Sequence, residues 1–180
     1  MKVARLIKRH MGRKMALPNG KEGVCNVAAV LRNVHTGAFR VVFGANLVTN
    51  DGDQYYAEAA VGSPSWSVAG MRLGTEATVA EKTDTDVGTF LAGSGKAPKA
   101  TYPKTGDADT DNTGAGVDVV TWTTEYTTAE GNGNGIAELA IVNHLTTPTK
   151  ALTHALFAAP FDKTSSDTLK VIVNHTFNGV

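Results

Sequence analysis

The chain has 180 residues, 42% apolar and 19% charged, with seventeen basic and seventeen acidic side chains. That length suits one domain, or one domain with an arm, and the apolar share is enough for a real core. A single cysteine, Cys25, excludes an internal disulfide, and no run of eighteen apolar residues offers a membrane-spanning helix.

The balanced charge hides an asymmetry. Lys2, Arg5, Lys8, Arg9, Arg13, Lys14 and Lys21 all precede the first acid, Glu22, which leaves ten basic against seventeen acidic residues in the remainder. A basic arm tied to an acidic body docks on something negative: nucleic acid, a membrane surface or the acidic face of a neighbouring subunit. The acidic body argues against nucleic acid, and no membrane partner is expected. Val3, Leu6, Ile7 and Met11 recur at spacings of three and four among the cations, which predicts a short helix over residues 2–15. So short a helix is marginal in water, so it is expected to order on a partner. The docking side chains would be Lys2, Arg5, Leu6, Lys8, Arg9, Arg13 and Lys14. A frayed, solvated terminus is the bland alternative. The Arg-rich, acid-free composition is also shared with transit peptides, whereas the apolar stretch of a secretory signal is missing.

Beyond a turn at Leu17-Pro-Asn-Gly20, Val24–Leu31 and Ala38–Phe43 flank His35-Thr-Gly37, a hairpin whose glycine supplies a positive φ. Gly44–Asn50 continues extended, and Thr49 or Asn50 can cap a helix over Gly52–Ala60. Trp66–Leu73 reads as a strand ended by Gly74. Thr89–Gly116 is the least regular region, and a loop that long is usually functional or held by a neighbour. Val117–Tyr126, Ile136–Val142 and Lys150–Ala158 read as strands, with a flexible glycine-rich turn at 130–135 and Pro160 ending the third. In the last strand Leu169, Val171, Val173, His175 and Phe177 alternate with Lys170, Ile172, Asn174 and Thr176, the pattern of a half-buried strand. Frequent turns between short strands predict a mainly β fold: an antiparallel β-sandwich or jelly-roll-like body over residues 23–180, one short helix, and a basic arm over residues 1–22.

Catalytic signals are few. Asp107, Asp109, Asp111 and Asp118 have the spacing of a calcium loop, but Asn112 replaces the glycine and Asp118 the longer glutamate, so a solvated acidic loop is the simpler reading and no metal is assigned. His154 and His175 are candidates for neighbouring strands, with no third ligand in view. Cys25 lacks an activating partner and reads as a core thiol. The sequon at Asn174 lies within a strand and reads as chance. No nucleophile elbow, phosphate loop or dinucleotide fingerprint occurs, so neither a catalytic residue nor a cofactor is expected.

Five segments carry a resemblance. Asn46-Leu-Val-Thr-Asn-Asp-Gly-Asp53 leads into the helix expected over Gly52–Ala60, and Met71-Arg-Leu-Gly-Thr75 precedes Lys82-Thr-Asp-Thr-Asp86. Ile136-Ala-Glu-Leu-Ala-Ile141 and Leu156-Phe-Ala-Ala-Pro-Phe-Asp-Lys-Thr-Ser-Ser-Asp-Thr-Leu169 follow in order. Together they resemble structural virion proteins of tailed bacteriophages, of the decoration, head-fibre and tail or baseplate accessory kinds. The chain departs from that pattern in Ala140, where glycine is common, and in its long arm. The resemblance implies a non-enzymatic virion protein. It would self-associate as a homo-oligomer and dock through its arm on other virion proteins, the major capsid or tail subunits, as a capsid decoration or head-associated subunit. The alternative is a tail-fibre or baseplate accessory, or a host-glycan-binding module in which Trp66 or a loop tyrosine stacks on a sugar.

Overall fold

The computed structural model describes residues 3–17, 20–105 and 118–177. Asp107, Asp109, Asp111 and Lys2 lie outside the described residues, and so does the side chain of Lys8. Two short helices, α1 (Val3–His10) and α2 (Asn50–Ala60), are followed or flanked by strands. β1 (Lys14–Ala16) and β2 (Glu22–Val24) form a small hairpin. The main sheet contains β3 (Val27–Asn33), β4 (Phe39–Val48), β5 (Gly70–Gly74), β6 (Lys104–Thr105), β7 (Val119–Tyr126), β8 (Gly133–Val142), β9 (Ala151–Lys163) and β10 (Asp167–Thr176). Its order is β5-β8-β9-β4-β3-β10-β7-β6, antiparallel throughout. The fold is therefore mainly β with a sandwich-like body, as the turn spacing predicts.

The local chemistry follows the sequence closely at two corners. In the β3–β4 hairpin Gly37 takes φ 71°, and the Asn33 carboxamide oxygen accepts the His35 and Thr36 N–H groups. Thr49 caps α2: its hydroxyl accepts the Gly52 N–H at 3.0 Å and donates to the Ala151 carbonyl. Gly52 lies against the Leu152 carbonyl so closely that a Cβ there would collide with it.

The sheet curls around one core that includes Leu31, Leu73, Trp122, Tyr126, Leu139, Phe157 and Leu169. The described part of the long loop fastens the curl. Met71 and Lys96 exchange backbone hydrogen bonds of 2.8 and 2.9 Å at the β5 edge. Three residues on, the Lys99 N–H donates to the Thr123 carbonyl of β7 at 2.7 Å. Three residues reach about 10 Å at most, so the two sides of the curled sheet approach each other here. This part of the loop is thus held by the chain's own sheet.

Four expectations are revised. The strand expected from Trp66 begins at Gly70, because Ala69 is the first residue whose N–H reaches β8, at Val142. Pro160 does not end β9: four residues between Leu156 and Phe161 face the single Ala137 of β8, so the proline sits in a bulge where its missing N–H breaks no ladder bond. The turn expected to be flexible is tied down. Glu130 accepts from Thr127 N–H and from Lys96, and the Lys163 ammonium, almost wholly buried, donates to Asn132 Oδ1 and the Thr127 carbonyl. Finally, β10 is covered on both faces over most of its length. Leu169, Val171 and Val173 enter the core, and Ile172 lies under α1.

Candidate docking site on the basic arm

The outer face of the sheet is where the arm lies. Ile7 of α1 is only 2% exposed and packs on Ala28 of β3 and Ile172 of β10, with Val3, Met11, Val30, Val41 and Phe43 around it. The His10 ring stacks on Phe43 with centroids 4.6 Å apart. Two backbone bonds fix the join: Gly12 N–H to the Cys25 carbonyl at 2.6 Å, and Cys25 N–H to the Arg13 carbonyl at 2.7 Å. The expectation that α1 orders only on a partner is corrected: its apolar ridge has found a partner in the same chain. Burying Ile7 contributes about 1.5–3 kcal/mol, enough to hold a helix that would be marginal alone.

With the apolar ridge turned inward, the cations are left outside. Arg5, Arg9, Arg13 and Lys14 are exposed, and Leu6 is half-buried. Lys14 pairs with Glu22 at 3.2 Å across β1–β2, with both side chains largely in solvent. Sequence reasoning missed Arg40, which β4 brings beside the arm. Its guanidinium donates to the Asp162 carbonyl at 3.0 Å, a neutral acceptor that leaves its charge uncompensated by that contact. Between arm, β4 and the β9 bulge lies a groove of about 510 Å³, rimmed by His10, Arg13, Lys14 and Arg40. The buried Cys25 thiol lines its base. Burial pushes that thiol up to about 11, against the backbone hydrogen bonds with Gly44 and Val27, so it is protonated at neutral pH.

The other half of the outer face is covered by the loop 75–91, held by buried charge. His154 of β9 is 2% exposed and bonds Asp84 through Nδ1 at 2.6 Å and Glu138 of β8 through Nε2 at 2.8 Å. Glu138 also accepts the Glu76 and Thr89 N–H groups. Burial works against the imidazolium, but the two carboxylates outweigh it and hold His154 above its ordinary value. Beside it Arg72 of β5 meets Asp86 at 3.0 Å, donates to the Leu145 and Thr146 carbonyls, and lies 3.6 Å over the Phe90 ring. No short-range signal marks this cluster, since its members are scattered from residue 72 to residue 154.

The histidine pair considered from sequence does not form. His154 lies on the outer face of β9, and His175 lies on β10, with β4 and β3 between them. His175 faces inward, where its Nδ1 accepts the Tyr56 hydroxyl at 2.5 Å and Tyr56 accepts the Trp122 indole N–H. Burial takes His175 down to about 3, so it is neutral. Asn174 is buried and its Oδ1 accepts from Thr121, which removes it as a glycosylation acceptor in the folded chain. Trp66 lies half-buried against Tyr55 at 4.9 Å. Among the described residues no three His, Cys, Asp or Glu side chains are grouped to hold a metal, and no helix is long and apolar enough to cross a membrane.

The segments that carry the phage resemblance meet in the fold. Asn50 N–H donates to the Lys82 carbonyl, and the Lys82 ammonium pairs with Asp53 at 2.7 Å. Arg72, Asp84, Asp86 and Glu138 come from three of those segments and build the buried cluster. Their residue choices are explained by fold-holding contacts. Comparison with protein-family models, curated proteins and solved structures gives no match.

Proposed function

We propose that the chain is a non-enzymatic structural protein of a tailed-phage virion, a capsid decoration or head-associated subunit that self-associates and docks through its basic arm. The observation that carries the reading is the seating of α1. Its apolar ridge is spent on the body, so Arg5, Arg9 and Arg13 form a fixed cationic surface on an otherwise acidic molecule. A preorganised patch of one sign steers a rigid subunit towards an acidic neighbour and costs less entropy on docking than a free tail. The order of the resembling segments adds the virion context, and the convergence of three of them in one cluster supports reading them as a shared scaffold.

The test is pull-down of the intact protein and of an Arg5→Glu/Arg9→Glu variant on protein-stripped phage heads and on isolated tails. Charge-dependent capture by heads is the expected result. Capture by tails would move the protein to the tail-fibre or baseplate group, and capture by neither would overturn the virion reading.

A further inference from the structure

The groove beside the arm has a feature that a simple charged patch lacks: an open strand edge inside the sheet. β9 pairs with β4 only from Gly44 to Val48, while β3 pairs with β4 from Phe39 to Gly44. The bulge at 157–160 carries β9 away from the first half of β4. The Asn33 N–H to Ala38 carbonyl bond, 2.8 Å, sets the hydrogen-bonding parity of the hairpin. Even-numbered residues of β4 face β3, so the N–H and C=O of Val41 face the other way, into the fork between β4 and β9. Arg40 spans the far end of the fork through its bond to the Asp162 carbonyl. The exposed edge, Arg40 to Phe43, is about 13 Å long, room for about four residues of added strand. An open edge of this kind is a template for pairing.

The surroundings select the occupant. The floor is apolar, from Val41, Phe43, Ala159 and Pro160, and the ionisable side chains of the rim are His10, Arg13, Lys14 and Arg40, with no acid among the lining residues. Two acids border it: Glu22, in an exposed pair with Lys14, and Asp162, whose carbonyl accepts from Arg40 and whose carboxylate is engaged by the Gly135 N–H. We propose that this groove takes an extended acidic peptide segment of a partner protein, added to β4 as a strand, with its main chain on the Val41 edge and alternate acidic side chains against Arg13, Lys14 and Arg40. The inference rests on the reading of the arm as a docking face and names the chemistry of what docks.

The test uses the full chain and fluorescent, end-capped heptapeptides in which Glu and Val alternate. Controls are the Lys/Val peptide and a Glu/Val peptide N-methylated at its central residue, which keeps the charge but removes a strand hydrogen bond. The acidic peptide should bind in a salt-sensitive manner. N-methylation, and separately an Arg13→Glu/Arg40→Glu variant, should each weaken binding by about tenfold or more. Thermal melting of the variant shows whether it is folded, and the N-methyl peptide tests the edge on unmutated protein. Equal binding of acidic and basic peptides, or of N-methylated and parent peptides, overturns the proposal. If heads capture the protein and excess acidic peptide does not compete, the groove proposal fails while the virion reading stands. If peptide binds and neither heads nor tails do, the virion reading fails alone.

Discussion

The two halves of the outer sheet face are covered in opposite ways. Over β3, β4 and β10, α1 lays down Ile7 and its apolar neighbours and keeps its arginines in water. Over β8 and β9, the loop 75–91 turns two of its charges inward, Asp84 onto His154 and Asp86 onto Arg72. An apolar ridge has no directional demand, so Ile7 sets the depth of the arm, and the backbone bonds of Gly12 and Arg13 with Cys25 fix its place. A buried carboxylate–imidazole–carboxylate row accepts one geometry only. The loop is therefore locked, and the arm is held but left available for docking.

Breaking the charged cover should have the largest effect. His154→Leu leaves Glu138, wholly buried, without the imidazole that faces it at 2.8 Å. Removing one member of a buried pair costs about 3–5 kcal/mol. Urea denaturation should show that loss, and limited proteolysis should show early cleavage within 75–91. A loss below about 1 kcal/mol would mean that the row is dispensable and the apolar contacts of Val87 hold the loop.

Ile7→Ala addresses the apolar cover. Truncating a buried isoleucine costs about 2–5 kcal/mol, and a peripheral site falls at the low end. Here the loss should appear as faster amide exchange over residues 3–12 with the sheet amides unchanged. If sheet protection falls in parallel, α1 is part of the cooperative core and not a separately held cover.

This contrast also decides what could be read from the sequence. The helix over the arm follows from a local repeat of Val3, Leu6, Ile7 and Met11, and the α2 cap from Thr49 beside Gly52. Most of the long strands follow from apolar runs and period-two alternation between turns, but β1, β2 and β6 do not: the helix expected over 2–15 stops at His10 and gives way to β1, and strands of two or three residues carry no period. What covers the outer face of β10 does not follow, because Ile172 gains its cover from a helix some 165 residues earlier, and alternation reports only that one face is apolar. The charged cluster is less legible still. Asp84, Glu138 and His154 each look like ordinary surface residues until the sheet order brings them together. The groove was hidden for a third reason: Pro160 signals a break, and only the ladder shows that the break is a bulge opening an edge within the sheet.

A smaller effect than either mutation is expected from pH. The folded-state value of His154 is raised, so its contribution is full below the unfolded value near 6.5 and is lost as pH rises through the higher folded value. Neutral imidazole still carries one N–H, so one of the two carboxylates keeps its hydrogen bond and the loop loosens without release. Amide exchange within 76–90, corrected for intrinsic rate, should therefore accelerate as pH rises through the folded His154 value while exchange in α1 does not. Equal acceleration in both would point to global opening in place of titration at His154.

The smallest stability effect is expected where the arm's charge is most exposed, at the pair of Lys14 with Glu22, whose side chains are 81% and 71% exposed. Such surface pairs contribute about 0–1 kcal/mol, so Glu22→Gln should leave the melting temperature nearly unchanged. Its consequence for binding should be larger than for folding. The substitution removes the carboxylate that competes for Lys14 and raises the positive potential of the groove, which speeds encounter with an acidic strand. An association rate for the acidic heptapeptide that rises in Glu22→Gln, and collapses to the wild-type value at high salt, would show that the rim charges of the arm serve recognition. An unchanged rate would place the attraction in Arg13 and Arg40 alone, and would leave Lys14 as a lysine that merely ties one strand of the hairpin to the other.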